Sequence, residues 1–362
     1  MQFSEQETTT NLKNNSVSDT LIDEIFQVLN KKEKDIIQKR FALRTEKRLT
    51  LEQIGQEYGI TRERVRQIEK NALAKLKRIA QKTSILSLID ITSKVISENF
   101  YVLTEKRLIR EVIKQTGGLF IENSQLIALS LEINNGLEKI KKSKNFKKSW
   151  FEAKKISKKN IDLVNTLAEK ALKKENAIVP AQKFINLVQE TTKQINKINL
   201  AKNTIHSLLQ INKRLKKIEE GYGLTTWRSV KPKSIKDKAL IILSRIKKPL
   251  HFRTIAKLIH ENTFDKKKVT TQAVHNELIR YEEFVLVGRG IYALREWGFQ
   301  TGTVKDVIAD ILRNHGPLNK SKIIEEVLKR RHVKIGTISL NLQKYPEFKR
   351  VGRAIYSIEK EV

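Results

Sequence analysis

The feature that most limits what this chain can fold into is that its C-terminal part repeats itself. Residues 248–297 open with KPLHFRTIAKLIH and continue to QAVHNELIRYEEFVLVGRGIYAL, while residues 316–358 open with GPLNKSKIIEEVL and continue to GTISLNLQKYPEFKRVGRAIYSI. Pro249 matches Pro317, Tyr281 matches Tyr345 and Phe284 matches Phe348. Val287-Gly288-Arg289 matches Val351-Gly352-Arg353, and Ile291-Tyr292 matches Ile355-Tyr356. Self-similarity at such a period means that each copy is one supersecondary unit. In both copies apolar residues first recur at helical spacing and then form two short β-prone runs around a glycine-containing turn. Each copy is expected to be two or three helices followed by a β-hairpin, with Phe284, Phe348, Tyr292 and Tyr356 packed inward.

That is the pattern of a winged helix, a helical head with a hairpin wing. A third copy is expected upstream, where Tyr222-Gly-Leu-Thr-Thr-Trp227 echoes Tyr292-Ala-Leu-Arg-Glu-Trp297 after the helical run NTIHSLLQINKRLKK. A fourth would use SQLIALSLEI as helix and GLEKIKKSKNFKKSWFEA as hairpin. The expected fold class is mainly α with small β-hairpin wings: an N-terminal helix-turn-helix followed by tandem winged-helix domains. The expected divisions are a disordered tail at 1–17, a helix-turn-helix at 18–85, and winged helices at 98–152, 160–228, 238–298 and 304–359. Linkers are expected at 153–160, 228–238 and 298–303, where Lys, Ser, Pro and Gly collect.

The helix-turn-helix is read from start signals. Asn30 with Glu33, and Thr50 with Gln53, stand three residues apart as capping pairs do, and Thr61 is placed to cap a third helix. Gly59 marks the turn. On a wheel at 100° per residue, Val65, Ile68 and Ala72 fall within roughly 60°. Arg62, Glu63, Arg66, Gln67 and Lys70 share an opposite arc of roughly 140°. The first face is expected to pack and the second to reach a groove.

Charge narrows the partner. The 362 residues hold 72 Lys plus Arg against 40 Asp plus Glu, a net charge of +32. A surface that basic favours a polyanion, and nucleic acid is the usual one. No apolar run reaches the roughly 18–20 residues that span a bilayer, and the N-terminus lacks the marks of a signal peptide. There is no cysteine, which removes disulfides, thiolate metal sites and cysteine nucleophiles. The six histidines (206, 251, 260, 275, 315 and 332) show no ligand spacing. No Walker motif, dinucleotide fingerprint or Gly-x-Ser-x-Gly elbow occurs. The chain is therefore expected to be no enzyme, to need no cofactor, and to be cytoplasmic and nucleoid-associated, with double-stranded DNA as partner and no membrane.

TLEQIGQEYGITRERVRQIEKNALAKLK, residues 50–77, closely resembles region 4.2 of bacterial RNA polymerase sigma factors, and LNKKEKDIIQKRFAL resembles region 4.1. Ala42 stands where that family usually has glycine. The resemblance implies reading of a promoter −35-like element, with Arg62, Glu63 and Gln67 at base edges and Arg66 on the phosphate backbone. Arg forks onto guanine and Glu accepts from cytosine, so the types fit the task. Thr50 could offer its hydroxyl and N–H to a phosphate. With Thr61, Arg64 and Lys70 these form the candidate DNA-contacting set. The resemblance covers roughly residues 20–80 and only about twenty residues precede it, so no region 2, and hence no complete sigma factor, is expected.

The last two repeats resemble the HARE-type winged helix of the RNA polymerase delta subunit, through the Pro-Leu start, Tyr-x-x-Phe, and the Gly-Arg-x-Ile-Tyr wing. That resemblance leaves two partners open, DNA or core RNA polymerase. Arg289 and Arg353, at matching wing positions, are candidate phosphate contacts. So are Lys141, Lys142, Lys144, Lys147 and Lys148, in a run (residues 141–159) of nine Lys against one Glu, expected to be a flexible cationic wing.

Overall fold

The structure is a computed structural model and describes residues 17–196, 199–262, 264–265, 269–299 and 302–358. The tail expected at 1–17 lies outside the described residues except for residue 17, and of the linker expected at 298–303 residues 300 and 301 do. The chain divides into two compact units, 1–225 and 226–362.

The first unit opens with α1 (residues 17–26), α2 (Lys31–Phe41), α3 (Leu51–Tyr58) and α4 (Arg62–Ile79). Asn30 and Glu33 form the expected capping box at α2: Glu33 N–H donates to Asn30 Oδ1 at 2.9 Å, and Asn30 N–H donates to Glu33 Oε2 at 3.0 Å. Helix α2 ends at Ala42, which sits in the left-handed region at φ 54°, ψ 43°. A Cβ there crowds the backbone, which is why glycine suits such a position.

Helix α4 runs through a short 3-10 turn into α5 (Ile85–Glu98). The sequence reading leaves 86–97 between units. No side-chain cap marks the start of α5, since Ser84 is helical and makes no capping bond, so the start signal is missing. Helix α5 nevertheless buries Ile85, Leu88, Ile89, Val95 and Ile96. It is followed by β1 (Val102–Thr104), α6 (Glu105–Gln115), α7 (Ser124–Ile133), β2 (Leu137–Ile140) and β3 (Ser149–Glu152). One core runs through both parts: Ile22, Ile25 and Phe26 of α1 and Ala72 and Leu76 of α4 join Leu88 and Val95 of α5 and Leu126, Ile127 and Leu131 of α7. Each such aliphatic side chain contributes about 1.5–3 kcal/mol by leaving water. The helix-turn-helix thus shares its core with residues 85–150.

The unit continues with α8 (Lys158–Glu175), α9 (Ala181–Asn196), α10 (Lys202–Ile211), β4 (Leu215–Ile218) and β5 (Gly221–Leu224). The second unit holds α11 (Ile235–Ile246), β6 (Leu250–His251), α12 (Phe252–Glu261), α13 (Thr271–Arg280), β7 (Phe284–Gly288) and β8 (Ile291–Leu294). It then repeats the order as α14 (Val304–His315), β9 (Leu318–Asn319), α15 (Lys320–Arg330), α16 (Ile335–Lys344), β10 (Phe348–Gly352) and β11 (Ile355–Ile358). Helix α11 begins inside the stretch expected as a linker at 228–238. Its capping box, Ser234 with Asp237, has a counterpart in Thr303 with Asp306 at α14.

Helix, strand, helix, helix, strand, strand is the order in three of these blocks. In the α8–β5 block the first strand shrinks to a single antiparallel bridge, Val179 to Tyr222. The sequence suggested two strands per block; the third is a two- or three-residue piece that pairs with the far strand, as in β6-β8-β7. It escapes a pattern search because it is too short for alternation to show. It places Leu250 opposite Tyr292 and Leu318 opposite Tyr356. Phe284, Tyr292, Phe348 and Tyr356 are all buried, as their packing role requires. The molecule is mainly helical with small antiparallel sheets. Among the described residues no helix is long and apolar enough to cross a membrane.

Replacing Ala42 with glycine removes the left-handed Cβ contact and is expected to raise stability by about 1 kcal/mol. Chemical denaturation of the full chain, following far-UV circular dichroism, checks this; a loss of stability would contradict it.

Candidate nucleic-acid interface

The interface is built from a tight turn between two capped helices. Thr50 caps α3: its Oγ1 accepts from Gln53 N–H at 3.2 Å, while its own N–H and hydroxyl both donate to Gln53 Oε1 at 2.9 Å. Gly55 lets α3 lie against the turn, since a Cβ there would stand 2.6 Å from the Ile60 carbonyl oxygen. Ile60 N–H donates to Gly55 O at 2.9 Å, and Gly59 takes the left-handed conformation at φ 61° that ends α3. Thr61 Oγ1 then accepts from Arg64 N–H at 3.2 Å and starts α4.

A small core fixes the crossing. Ile36, Ile54 and Val65, one from each of α2, α3 and α4, are wholly buried together, with Leu51, Tyr58, Ile60 and Ile68 around them. Polar braces surround it. Arg40 donates to Glu69 Oε1 at 3.0 Å and to the Leu49 carbonyl at 2.8 Å. Tyr58 donates to Asp35 at 2.6 Å, and Lys39 bridges Asp35 and Glu57 at 2.8 and 2.7 Å. Lys75 reaches Glu33 at 2.8 Å, tying α4 to the start of α2. Apart from Lys39 with Asp35, four residues apart on α2, these braces were not legible in the sequence, because the partners are far apart along the chain and have no set spacing.

The outer face of α4 carries Arg62, Glu63, Arg66, Gln67 and Lys70, all exposed. In the free protein part of it is paired with itself. Arg66 forks onto Glu63, Nε to Oε2 at 2.8 Å and Nη2 to Oε1 at 2.6 Å. Arg64 donates to Gln67 Oε1 at 3.2 Å. The Arg66 hydrogen bonds, helped by the charge of Arg62, hold the Glu63 carboxyl below its usual range, so it stays an acceptor at neutral pH. These pairs are fully solvated, so water screens them and a ligand can displace them. The side chains of Arg62 and Lys70 make no hydrogen bond or ion pair among the described residues.

The remaining expected residues are placed differently. Thr61 acts as a cap, and Thr50 is not the open phosphate ligand suggested by sequence, because Gln53 already takes both its donors. Lys141, Lys142 and Lys144 are exposed on the loop between β2 and β3. That loop is not a flexible wing but is pinned to the α10–β4 turn. Lys147 N–H donates to Ile211 O at 2.9 Å, Lys147 Nζ to Gln210 O at 2.7 Å, and Lys213 N–H to Asn145 O at 2.7 Å. Loss of water around Lys147 lowers its pKa, and Lys148 pairs with Glu105 at 2.6 Å. Two of the five loop lysines are therefore anchors. In the second unit Arg289 and Arg353 are exposed at the turns of their hairpins, β7–β8 and β10–β11. His206 contacts Tyr222 Oη at 2.8 Å and Gln210 Nε2 at 2.7 Å, and burial lowers its pKa. Among the described residues no cluster of His, Asp or Glu could hold a metal ion.

Residues 25–78 match the family model described as Sigma-70, region 4. Residues 25–78 are a sigma-70 region 4 domain. Over 62 residues the chain is 40% identical to the RNA polymerase principal sigma factor HrdD of Streptomyces viridifaciens, and equally so to those of Streptomyces griseus and Streptomyces coelicolor. The matched stretch is 17% of this chain and 19% of each relative, so the chain spans about a fifth of the length of the curated relatives it matches. In this region 4 domain, α3 and α4 are the two helices of the helix-turn-helix, and Ala42 is the left-handed end of α2.

Gly55→Ala is expected to destabilise the region 4 domain by about 1–3 kcal/mol, because the Ile60 carbonyl is backbone and must shift. Thermal unfolding of the variant checks this. A second expectation concerns acid. Burial alone would raise Glu33 and Asp35, but Lys75 and the Asn30 N–H outweigh it for Glu33, and Lys39 and Tyr58 for Asp35, leaving both below their ordinary values. Both groups therefore add stability above the usual carboxylate range and lose it as pH falls through their depressed values. Melting temperature should drop below about pH 4.5, and less so in Glu33→Gln/Asp35→Asn, measured against the same variant at pH 7.

Proposed function

We propose that this chain is a sequence-specific DNA-binding regulator of transcription, sigma-like in its N-terminal part, whose α4 reads a −35-like promoter element in the major groove. The observation that carries the reading is the double nature of α4. Val65, Ala72 and Leu76 anchor it in the protein. Its opposite edge presents an arginine fork, a charged acceptor and an amide within two turns. Such an edge supplies a guanine-reading donor, a cytosine-reading acceptor and a phosphate clamp. In this reading Arg62, Glu63 and Gln67 meet bases, Arg66 leaves Glu63 to hold a phosphate, and Arg64 and Lys70 add backbone contacts. Thr50 contributes only after Gln53 releases it.

The four blocks beyond the region 4 domain are, in this proposal, tandem winged helices, the last two HARE-type, which add affinity for DNA or for core RNA polymerase. Lys141, Lys142 and Lys144 supply nonspecific phosphate contacts, and Arg289 and Arg353 do so at the wing tips. The protein works without a cofactor, as a binder rather than an enzyme, in the cytoplasm on the nucleoid. The net charge of +32 supports a polyanionic partner. A second reading, docking of the repeats on RNA polymerase, is favoured at one place. Ile335, Leu340 and Val351 of the last repeat are 55%, 65% and 58% exposed, an apolar set at odds with a phosphate contact.

Footprinting on genomic fragments, with and without core polymerase, tests the proposal. Arg62→Ala/Glu63→Ala is expected to abolish specific protection while leaving salt-sensitive nonspecific binding in place. An unchanged footprint would refute the assignment of α4.

A further inference from the structure

The third helix of each block is α7, α10, α13 or α16, and these four are used differently. Helix α7 is taken up by the core: Leu126, Ile127, Leu129, Ser130, Leu131 and Ile133 are all buried. Helix α10 buries most of its length, and the pinned lysine loop covers its C-terminal end. Helices α13 and α16 each bury only two residues, Val274 and Leu278 in one, Ile338 and Leu342 in the other. Those positions correspond in the repeat, so the two helices turn equivalent faces outward.

What they present differs in kind. Thr271, Gln272, His275 and Asn276 on α13 stand where α16 has Ile335, Gly336, Ser339 and Leu340. Gln272 and Asn276 are exposed one helical turn apart, with Gln272 Nε2 donating to Asn276 Oδ1 at 3.0 Å. This is the same kind of solvated self-pairing that Arg64 and Gln67 show on α4. Ile279, one turn further along this face, is 64% exposed.

A second feature is built around α13 and missing from its sister. The ring of Phe252 stacks on His275 with centroids 4.3 Å apart, beside a Phe252 N–H to Gly290 O bond at 2.9 Å whose counterpart, Lys320 N–H to Ala354 O at 2.7 Å, the sister does keep. A Cβ at Gly290 would stand 2.8 Å from His251 Nε2 and 3.0 Å from the Phe252 ring, so the hairpin turn is seated directly on this stack. The stack locks the hairpin turn, with exposed Arg289, and the start of α12, with exposed Arg253, to the helix that carries the amides. The last repeat has Asn319, Lys320, Ser339 and Ala354 at the stacking positions and cannot form it.

We infer that α13 carries a second site for reading duplex DNA, with Gln272 and Asn276 at base edges in a major groove and Arg253 and Arg289 on flanking phosphates. An amide meets adenine N6 and N7 with two hydrogen bonds, and an apolar tip such as Ile279 packs on a thymine methyl, so the element read is A·T-containing. The inference extends the DNA-binding reading of the chain to another helix but does not depend on α4 reading any base.

The test is selection of duplexes from a randomised library by the full-length chain, with wild type, Gln272→Ala/Asn276→Leu and Arg62→Ala/Glu63→Ala run side by side. All four side chains are exposed, and circular dichroism verifies that each variant is folded. Wild type is expected to select two sequence blocks. The α13 variant should lose the A·T block, with about a tenfold fall in discrimination there, and keep the other; the α4 variant should do the reverse. Arg289→Ala should weaken binding to every duplex alike and flatten the salt dependence by about one ion. If the α13 variant selects the same sequences with wild-type affinity, the inference fails, whatever the α4 variant does. It also fails if that variant loses only co-purification of core polymerase, which would make α13 a protein-binding surface.

Discussion

The arrangement of the N-terminal half depends on one helix held in two cores. Val65, near the start of α4, is enclosed with Ile36 and Ile54, while Ala72 and Leu76, two and three turns on, belong to the larger core with α1, α5 and α7. A rod fixed at two points along its length has no freedom to roll or tilt. The edge opposite those anchors, Arg62 to Lys70, is consequently presented in one orientation. The loss of conformational freedom that precise docking requires has then occurred on folding rather than on binding.

The same constraint gives the first repeat its role. Helix α7 buries six of its ten residues, and it is interior because it lies under α2 and α4. The block that follows region 4 thus works as a floor for it. The lysine-rich loop fits the same plan: Lys147 and Lys148 hold it to neighbouring backbone and to Glu105, leaving Lys141, Lys142 and Lys144 to face solvent from a fixed support. One scaffold of three helices and a small sheet serves as brace in one place and as presenting surface in another.

The two C-terminal repeats show how little sequence change such a reassignment needs. The positions that face the main core of each repeat agree, Val274 with Ile338, Leu278 with Leu342, Phe284 with Phe348 and Tyr292 with Tyr356, whereas Val285 and Val287 are buried where Lys349 and Val351 are exposed. Their exposed third-helix positions differ, apart from the cation shared by Arg280 and Lys344. Gln272 and Asn276 differ from Gly336 and Leu340 because they face outward, where packing does not fix the residue type.

What the sequence determined by itself is whatever is set by neighbours within a few residues. The capping boxes at Asn30 and Thr50, the Thr61 cap, the left-handed turn at Gly59 and the division of α4 into packed and polar edges were all legible, because each is a hydrogen bond or a face repeated at three or four residues. The repeat itself was legible for the same reason, copied twice. Only the tertiary structure decided that α5 belongs to a core, since no cap announces it, and that Gln53 withholds the donors of Thr50. It alone decided that the cationic loop is anchored, and that α7 is hidden while α13 is open. Each of these turns on which distant segment arrives to cover a side chain. Long-range contacts are set by how the whole chain closes on its apolar surface, and no local spacing encodes which exposed face remains once it has done so.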